Sequence, residues 1–465
     1  MMEKMSDEAD TLEMTDARYL MHPFTDARAN LQGGGMVIDR GEGVFVYDNA
    51  GKKYLEAVAG LWSVGLGFSE RRLIDAAVRQ MEKLPYYHTF TGKSHAPQIE
   101  LAARLVQMAP VPMSKAFFTN SGSEANDTAI KMIWYRSNAL GETKRKKIIS
   151  RRRGYHGITI ASASLTGIPV DHQSFDLPLP GFLHVTAPHY YREGQEGESE
   201  EAFSTRLVNE IEALILAEGP QTIAAFFAEP VMGAGGVIVP PQGYWEKLQP
   251  VLKKYGIILV ADEVICGFGR TGRMFGSQTF DIRPDMMILS KQLSSSYLPI
   301  SAILMNDMVF EPISDESHAI GAFAHGFTNG GNPTAAAVAI EVLNIMEERD
   351  LMTHVSDVSV HFQARLRALG ASSALVGEAR GVGLIGALEL VTDKATRSSS
   401  LQAGQLAKYA FRLLQNKGVI ARAMGDTLAF SPPLIITRDQ VDMIFDGVTE
   451  VLAQMEHEIG SGQFH

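Results

Sequence analysis

The sequence predicts an α/β protein in which a large domain with a mainly parallel sheet is joined to a smaller α+β domain. Two observations indicate this class. From about residue 98, short apolar runs alternate with helical stretches, and after about residue 335 the pattern changes to a long helix followed by short strands and further helices. Strands that are apolar on both faces are typical of a parallel sheet covered by helices on both sides. We expect residues 71–335 to form the large domain and 336–465 the smaller one, with 1–70 as an N-terminal arm or segment of the smaller domain.

The individual elements follow in chain order. Residues 43–60 (GVFVYDNAGKKYLEAVAG) contain two strand-like pieces around a turn at 49–51, which predicts a hairpin. A helix is expected from Pro333, and two more near 402–416 and 438–456, with short strands between them. The apolar runs expected to form the large sheet are 115–119, 146–150, 222–230, 257–264, 286–290 and 300–305.

Composition and charge exclude several classes of protein. Hydrophobic residues make up 45% and charged residues 20%, as in an ordinary globular protein. The balance of 42 Lys+Arg against 53 Asp+Glu gives a net charge of -11, which disfavours nucleic acid or an anionic membrane as a partner. Basic runs at 144–147 and 151–153 are interpreted as solvated strand ends. Cys266 is the single cysteine, so no internal disulfide can form, and a reducing, cytoplasmic location is expected.

No targeting segment, membrane span or metal site is expected. The N-terminus, MMEKMSDEADTLEMTDARYL, is acidic and has no apolar core of the kind found in secretory signals. Residues 219–245 carry one charge, Glu229, but prolines and glycines exclude a spanning helix, so a buried strand and a loop are expected there. None of the 13 histidines lies three or four residues from another, so no helical metal-binding pair is present.

The segment FFTNSGSEANDTAIKMIWY (117–135) joins a strand end to a helix. Apolar residues recur at helical spacing from Ala125 onward, which places Ser121, Gly122 and Ser123 at the helix N-terminus. Free backbone N–H groups, the positive end of the helix dipole and two hydroxyls make this a suitable phosphate site. A plain N-cap by Ser121 is the structural alternative.

Polar side chains end several of the predicted strands. In LVADEV (259–264), two carboxylates close an apolar strand, and burial of such acids is costly unless they meet a cation or a donor. Because successive side chains on a strand point in opposite directions, only one of Asp262 and Glu263 can face a site beyond the sheet. Ligands of open α/β sheets bind at the carboxyl ends of the strands. The groups expected at this edge are Ser121, Tyr155, Glu229, Asp262 and Lys291.

Lys291 follows a buried strand in MMILSKQLSSSYLPISA (286–302). A lone lysine at such a position usually extends its head into solvent. Together, however, a phosphate cradle, a carboxylate, an aromatic ring and a lysine are the groups needed to hold pyridoxal 5'-phosphate (PLP). The lysine would form a Schiff base, and the carboxylate would keep the pyridine nitrogen protonated so that the ring can accept electrons.

Two other functions compete with PLP chemistry. GFGRTG (267–272) fits the G-x-G-x-x-G pattern of an NAD-dependent oxidoreductase, with Asp285 13 residues beyond Gly272. The residues that follow contain another glycine and a proline without helical periodicity, so this stretch is interpreted as a glycine-rich loop. A non-catalytic binding or structural protein is disfavoured because so many polar groups end buried strands without structural need.

Six segments spread over most of the chain carry a family resemblance. They are FFTNSGSEANDTAIK from residue 117, YHG at 155–157, EPVMGAGGVIVPP at 229–241, ADEVICGFGRTGRMF at 261–275, PDMMILSKQLSSSYLPISA at 284–302 and HGFTNGGNPTAAA at 325–337. With these segments the sequence resembles the class III, or omega, aminotransferases of PLP fold type I. The segment KQLSSSY departs from the KGL-type sequence common in that family but keeps the lysine. Within the family, HPFTD (22–26), LWSVGLG (61–67) and ARAMGDTLAFSPPL (421–434) are similar to the amine:pyruvate and beta-alanine:pyruvate type.

The resemblance implies roles for single residues at the cofactor. Lys291 would be the Schiff-base lysine and proton shuttle, and Asp262 would pair with the pyridine nitrogen. Tyr155 and Val264 would pack on the two faces of the ring, and Glu229 would support Asp262 or the ring hydroxyl. The remaining expected cofactor-binding residues are His156, the phosphate-binding Ser121, Gly122 and Ser123, and Thr328 from the neighbouring subunit.

The resemblance also implies a reaction and its substrates. Phe24, Trp62, Tyr87 and Tyr155 would line the substrate pocket, and ordinary core packing is the alternative for Trp62 and Tyr87. Arg422 would bind a substrate carboxylate and move aside for an apolar group, and an ordinary surface arginine at a strand end is the alternative. The expected enzyme is a homodimeric transaminase with shared active sites that moves an amino group from an amine or omega-amino acid to pyruvate or another oxo acid. Another PLP activity, such as an aminomutase or a decarboxylation-dependent transaminase, is the alternative.

Overall fold

The structure is a computed structural model that describes residues 11–399 and 401–464. The expectation about the N-terminal segment 1–20 falls partly on residues 1–10, which lie outside the described residues. Positions 400 and 465 of the expected smaller domain also lie outside them. No helix within the described ranges is long and apolar enough to cross a membrane.

The strands form three sheets. They are β1 (Ile38–Glu42), β2 (Phe45–Asp48), β3 (Lys53–Glu56), β4 (Lys115–Thr119), β5 (Lys147–Arg151), β6 (Phe182–Val185), β7 (Ile223–Ala228), β8 (Ile258–Asp262), β9 (Met286–Leu289), β10 (Ser301–Met305), β11 (Val376–Val382), β12 (Ile385–Leu390), β13 (Val419–Ile420), β14 (Arg422–Met424) and β15 (Thr427–Phe430).

The helices surround these sheets. They are α1 (Leu12–Tyr19), α2 (Ala27–Asn30), α3 (Ala59–Trp62), α4 (Arg71–Lys83), α5 (Ala96–Met108), α6 (Gly122–Ala139), α7 (Ile160–Leu165), α8 (Tyr190–Glu193), α9 (Glu200–Glu218), α10 (Tyr244–Lys254), α11 (Gly276–Thr279), α12 (Asp307–Ile320), α13 (Pro333–Glu348), α14 (Leu351–Ser372), α15 (Gln405–Asn416) and α16 (Arg438–Gly460). Short 3-10 helices are formed by Phe90–Gly92, Pro169–Asp171, Pro220–Thr222 and Lys291–Ser294.

The large sheet has seven strands in the order β4-β10-β9-β8-β7-β5-β6. All run in the same direction except β10, which pairs antiparallel with both of its neighbours. The predicted α/β class with a mainly parallel sheet is therefore confirmed, and each of the six predicted apolar runs overlaps one strand. The seventh strand, β6, was not predicted.

Helices cover both faces of the large sheet because its strands are apolar on both sides. Ile148 of β5 and Val260 of β8 pack in one core with Ala129 of α6. Their chain neighbours Ile149 and Leu259 pack in another core with the helices α9 and α10. Successive side chains of a strand point to opposite faces of the sheet, and here the residues on both faces are apolar.

The other two sheets connect the ends of the chain. The predicted hairpin is present as β2 and β3, and the sheet order β1-β2-β3-β13 pairs the N-terminal arm with a strand from the C-terminal part. The third sheet, β11-β12-β15-β14, is antiparallel and carries Arg422 on its edge strand. The predicted helix from Pro333 is α13. Its N-cap, Asn332, accepts hydrogen bonds from the backbone of Thr334 and Ala335 at 2.9 and 3.2 Å.

The interpretation of residues 151–153 as a solvated strand end is wrong for two of its three arginines. Arg151 is 1% exposed, and its Nη2 donates to the carbonyl oxygen of Glu229 at 2.5 Å. Arg153 is half-buried and lines a cavity, and its Nη1 lies 3.1 Å from Nδ1 of His189. Both side chains are shielded from solvent because β5 is an interior strand whose end meets the loops of two other segments.

A second group of buried charges lies where the third sheet meets the large domain. Arg380 donates from Nη2 to Glu389 at 2.7 Å, from Nη1 to Glu378 at 2.6 Å and from Nε to the carbonyl oxygen of Gly236 at 2.9 Å. Arg192 donates to the other oxygen of Glu389 at 2.8 Å. We call this group the Arg380 network; its members are His189, Arg192, Glu378, Arg380, Glu389 and Thr427.

Candidate active site

The carboxyl ends of the parallel strands open into one cavity of about 1700 Å³. It lies where ligands of open α/β sheets bind. The stretch 267–272, which resembled a dinucleotide-binding motif, is a loop followed by the four-residue helix α11, so its glycines do not open a long helix after a strand. The predicted site residues that line the cavity are Phe24, Trp62, Ser121, Gly122, Ser123, Tyr155, His156, Glu229, Asp262, Val264, Lys291 and Arg422.

The N-terminus of α6 forms one wall of the cavity. Ser121 is the N-cap, and its hydroxyl accepts a hydrogen bond from the backbone of Glu124 at 3.2 Å, so the plain capping role is also real. The first turn of a helix has N–H groups without intrahelical partners, and these are available to an anion. A Cβ added at Gly122 would lie 3.2 Å from Val264, so glycine allows the backbone to approach the cavity closely.

Asp262 and Glu263 point in opposite directions, as the alternation along a strand requires. Asp262 is 3% exposed and lines the cavity. Its Oδ2 lies 2.8 Å from Nδ1 of His156 and accepts from Nδ2 of Asn126 at 3.0 Å. Glu263 faces away and accepts from the backbone of Gly276 and from both the backbone and the hydroxyl of Ser277.

Val264 contacts the cavity from a turn and not from the strand. The strand β8 ends at Asp262, and the backbone N–H of Val264 donates to Oδ1 of Asp262 at 3.1 Å. The strand predicted at 257–264 therefore ends two residues early, and Val264 lines the same cavity as Asp262 from the turn that follows.

Lys291 begins a short 3-10 helix directly after β9 and Ser290. Its φ of 48° lies in the left-handed region, which is unfavourable for a side chain with a Cβ. Its Nζ lies 5.8 Å from the centre of the Trp62 ring. Burial lowers the pKa of Lys291 to about 8, and the carboxylates of Asp262 and Glu229 oppose this shift. Near pH 8 the neutral amine is therefore far more populated than in an exposed lysine.

Glu229 positions Tyr155 and does not hydrogen-bond Asp262. Its Oε1 accepts from the backbone N–H of Tyr155 at 3.0 Å and its Oε2 from that of Gly233 at 2.9 Å. Burial raises the pKa of Glu229. The carboxylate thus fixes the chain at the aromatic ring that lines the cavity.

Arg422 extends from β14 into the cavity over the same tryptophan as Lys291. The guanidinium carbon of Arg422 lies 4.7 Å from the centre of the Trp62 ring. Its Nε is buried and has no hydrogen-bond partner within the described part of the chain. Burial lowers the pKa of this guanidinium, and the nearby Tyr155 opposes the shift. A cation with an unused donor in a cavity is suited to bind a carboxylate.

Comparison with known proteins agrees with this geometry. The family model described as Aminotransferase class-III matches residues 28–452. The chain belongs to the class III aminotransferases. It is 46% identical over 95% of its length to gamma aminobutyrate transaminase 1, mitochondrial, of Solanum lycopersicum, of which it covers 85%.

Solved structures of other class III aminotransferases are similar over nearly the whole chain. The omega transaminase from Pseudomonas jessenii in complex with PMP is 57% identical, with a TM-score of 0.96 over 97% of this chain and 100% of that one. A structure described as a transaminase with L-ala is 63% identical, with a TM-score of 0.90 over 91% of this chain and 100% of that one. The fold is that of the PLP fold type I aminotransferases, and the enzyme catalyses PLP-dependent transamination between an amino donor and an oxo acid.

The cavity of this class III aminotransferase fits PLP. The cofactor, when bound, draws electrons from the substrate carbon that carries the amino group. Ser121, Gly122 and Ser123 would hold its phosphate at the N-terminus of α6. Asp262 accepts hydrogen bonds from Asn126 and from the backbone of Val264 and lies against His156, and its buried carboxylate would pair with the ring nitrogen. Lys291 would supply the amine for covalent attachment.

Two of the predicted site residues lie outside the cavity of their own chain. The carbonyl oxygen of Thr328 accepts a hydrogen bond from the hydroxyl of Tyr86 at 2.9 Å. Tyr87 is 44% exposed and stacks on His88, with ring centres 4.9 Å apart. Tyr87 is therefore neither a core residue nor a wall of the cavity within one chain.

The sequence reasoning missed Asn126, which holds Asp262. Asn126 is 1% exposed and also donates to the carbonyl oxygen of His156 at 2.8 Å. A signal was available, because Asn126 lies next to Ala125 on the buried side of an amphipathic helix, where an amide needs a partner. The contact between His156 and Asp262 joins positions 106 residues apart, and the chain offers no local pattern for it.

Proposed function

We propose that this enzyme moves an amino group from an amine or omega-amino acid to pyruvate, which leaves as alanine. In this proposal Lys291 holds the cofactor through Nζ and moves a proton at the substrate carbon with the same atom. Asp262, held by Asn126 and His156, keeps the ring nitrogen protonated. Tyr155 and Val264 pack on the ring, and the cradle at residues 121–123 binds the phosphate.

One observation carries the choice of substrates: Arg422 and Lys291 lie over the same Trp62 ring in one cavity. The reacting amine, near Lys291, and a substrate carboxylate, at Arg422, thus lie close together. An arginine on an edge strand can adopt more than one rotamer, so the same cavity accepts pyruvate when the guanidinium points inward and an apolar amine when it points away. Trp62 and Phe24 then supply the apolar surface for the donor.

The comparisons support both substrates. Relatives named gamma-aminobutyrate transaminases act on an omega-amino acid, whose carboxylate suits Arg422. A similar transaminase has been solved with L-ala, and alanine is the amino acid formed from pyruvate. Each of these ligands carries an amine, which reacts, and also a carboxylate, which needs a cation to bind it.

We further propose a homodimer with shared active sites. Thr328, assigned to the phosphate site of the neighbouring subunit, lies outside the cavity of its own chain. It is next to a group of exposed aromatic side chains, Tyr86, Tyr87 and Phe90, which are 39%, 44% and 45% exposed. If a second copy of the chain covers this surface, Tyr87 and Thr328 of one copy lie at the cavity of the other. A cytoplasmic location remains our proposal, based on the buried, unpaired thiol of Cys266.

The test of this function is the variant Arg422→Ala, measured in the two half-reactions separately by single-turnover spectroscopy of the cofactor. The half-reaction with pyruvate should slow by tens- to thousands-fold, because loss of a partly desolvated arginine–carboxylate contact costs roughly 2 to 5 kcal/mol. The half-reaction with an uncharged alkylamine should change much less. Equal losses in both half-reactions would show that Arg422 is structural and that another cation binds the carboxylate.

A further inference from the structure

One wall of the cavity is formed by the loop between α7 and β6. This loop contributes mainly apolar side chains, among them Val170 and Leu179, and two acids, Asp171 and Asp176. Asp176 is exposed, whereas Asp171 ends the 3-10 helix Pro169–Asp171 and is 9% exposed. Asp171 is therefore a buried acid in an otherwise apolar part of the wall.

The carboxylate of Asp171 differs from other buried acids of this chain in its partners. Its Oδ2 is buried and has no hydrogen-bond partner within the described residues. By contrast, Glu229 accepts from the backbone of Tyr155 and Gly233 at 3.0 and 2.9 Å, and Glu263 accepts three hydrogen bonds. A buried carboxylate oxygen without a partner is costly, so a structural role does not account for Asp171. Burial raises the pKa of Asp171, which is the expected response to that cost.

Asp171 is close to the reacting end of the cavity. Apart from burial, its charge is the strongest influence on the raised pKa of Tyr155, and Arg422 acts on the same phenol in the opposite direction. Arg422 and Asp171 thus both lie within electrostatic reach of Tyr155, as do Asp262 and Glu229. The Arg422 guanidinium suits a carboxylate, and Oδ2 of Asp171 lacks a complementary group among the described residues.

We propose that Asp171 binds the distal ammonium group of aliphatic diamine donors. This inference rests on the proposed function, in which one primary amine of the donor reaches Lys291. The alkyl chain of the donor then lies along the apolar wall, and the second amine, charged at neutral pH, pairs with the carboxylate. The cavity of about 1700 Å³ has room for an extended diamine of four or five carbons beside the cofactor.

The experiment compares matched donors in the holoenzyme with pyruvate as acceptor. In the wild type, 1,4-diaminobutane should have a higher kcat/KM than n-butylamine. In Asp171→Asn, which keeps the shape and removes the charge, kcat/KM for the diamine should fall by roughly 10- to 100-fold. In the same variant, kcat/KM for n-butylamine should stay the same or rise, because an unpaired charge no longer faces the methyl end of this donor. Asp171→Glu, which restores the charge, should recover part of the loss.

Asp176→Asn is the matched control, since Asp176 is an exposed acid of the same loop. It should leave the ratio of kcat/KM for the diamine to kcat/KM for n-butylamine within about two-fold of the wild-type ratio, because surface charges act weakly. If Asp176→Asn lowers the ratio as much as Asp171→Asn does, or if Asp171→Asn slows both donors equally, the assignment of a subsite at Asp171 is wrong.

A binding measurement separates this inference from the proposed function. N,N,N′,N′-tetramethyl-1,4-diaminobutane has two cations but no primary amine, so it binds without reacting. Its calorimetric affinity for the holoenzyme should fall by roughly 10-fold or more in Asp171→Asn. Lack of activity with pyruvate would overturn the proposed acceptor and leave this result standing. Equal affinity of the tetramethyl compound for the wild type and for Asp171→Asn would overturn the subsite even if transamination to pyruvate is observed.

Discussion

The cavity and the Arg380 network both bury charged side chains, but they pair them differently. In the network, Arg380, Arg192 and His189 each contact a carboxylate within 3.0 Å, and Thr427 adds a hydrogen bond to Glu389 at 2.9 Å. In the cavity, Nε of Arg422 and Oδ2 of Asp171 are buried and have no partners among the described residues. The paired charges connect two parts of the fold, and the unpaired ones are left for a ligand.

The pKa values show the same difference. Burial alone would raise the pKa of Glu389, but Arg380, His189 and Arg192 lower it to about 2. At Lys291 burial dominates and lowers the pKa to about 8, although two carboxylates oppose it. In the Arg380 network the ion pairs outweigh the cost of desolvation and stabilise the folded state. At Lys291 desolvation outweighs the attraction of the carboxylates, which keeps a reactive amine available.

The strongest test of this contrast is Lys291→Ala. Turnover should fall by about three orders of magnitude or more, because in the proposed mechanism both covalent attachment and proton transfer use its Nζ. Thermal stability without cofactor should be equal or higher, since the variant removes a half-buried amine whose charged form is disfavoured by desolvation. Lys408→Ala removes an exposed lysine that also lines the cavity and should stay within a few-fold of wild type. A Lys291→Ala enzyme with near wild-type rates would end the assignment.

The reverse pattern is expected for Arg380→Met. Loss of one partner from a buried ion pair should lower the free energy of unfolding by about 3 to 5 kcal/mol. The folded fraction should keep its turnover within a few-fold, and urea denaturation together with rates corrected for folded protein measures both. Arg438→Met, which breaks the exposed pair with Asp357, should cost less than about 1 kcal/mol. A loss of turnover without loss of stability would place Arg380 in the catalytic site.

A smaller effect is expected from the pH dependence of the network. Because the folded pKa of Glu389 lies below its ordinary value of 4.5, its contribution to stability is complete above that value and is lost as the pH falls toward 2. This loss should reach about 3 kcal/mol in urea denaturation at successive pH values. Glu389→Gln should be less stable at pH 6 and show a flatter decline. Parallel curves for the two proteins would contradict the pairing of Glu389 with Arg380.

The sequence was sufficient for the parts of the molecule that local patterns determine. Apolar runs indicated six strands of the large sheet. The rule that ligands bind at strand ends correctly predicted that Ser121, Tyr155, Glu229, Asp262 and Lys291 share one cavity. Alternation along β8 also separated Asp262 from Glu263 correctly. These inferences need only the period of a strand and the direction of a parallel sheet.

The sequence was insufficient where distant segments meet. Arg380 and Gly236 are 144 residues apart, and the burial of Arg151 depends on loops from other strands. Asp171 has no distinguishing signal in the sequence, because its missing partner can be recognised only when its neighbours are known. Thr328 and Tyr87 stay predictions for the same reason, as their proposed surroundings belong to a second copy of the chain.

The central claim is that the lysine at the end of β9 holds PLP at this cavity. Borohydride reduction of the purified holoenzyme, followed by peptide mass spectrometry, tests it directly because reduction makes the link to the lysine permanent. We predict that the mass of the reduced cofactor appears on the peptide that contains Lys291, and that the same treatment of Lys291→Ala leaves every peptide unmodified. Cofactor on another lysine of the wild-type enzyme, with the Lys291 peptide unmodified, would contradict the account.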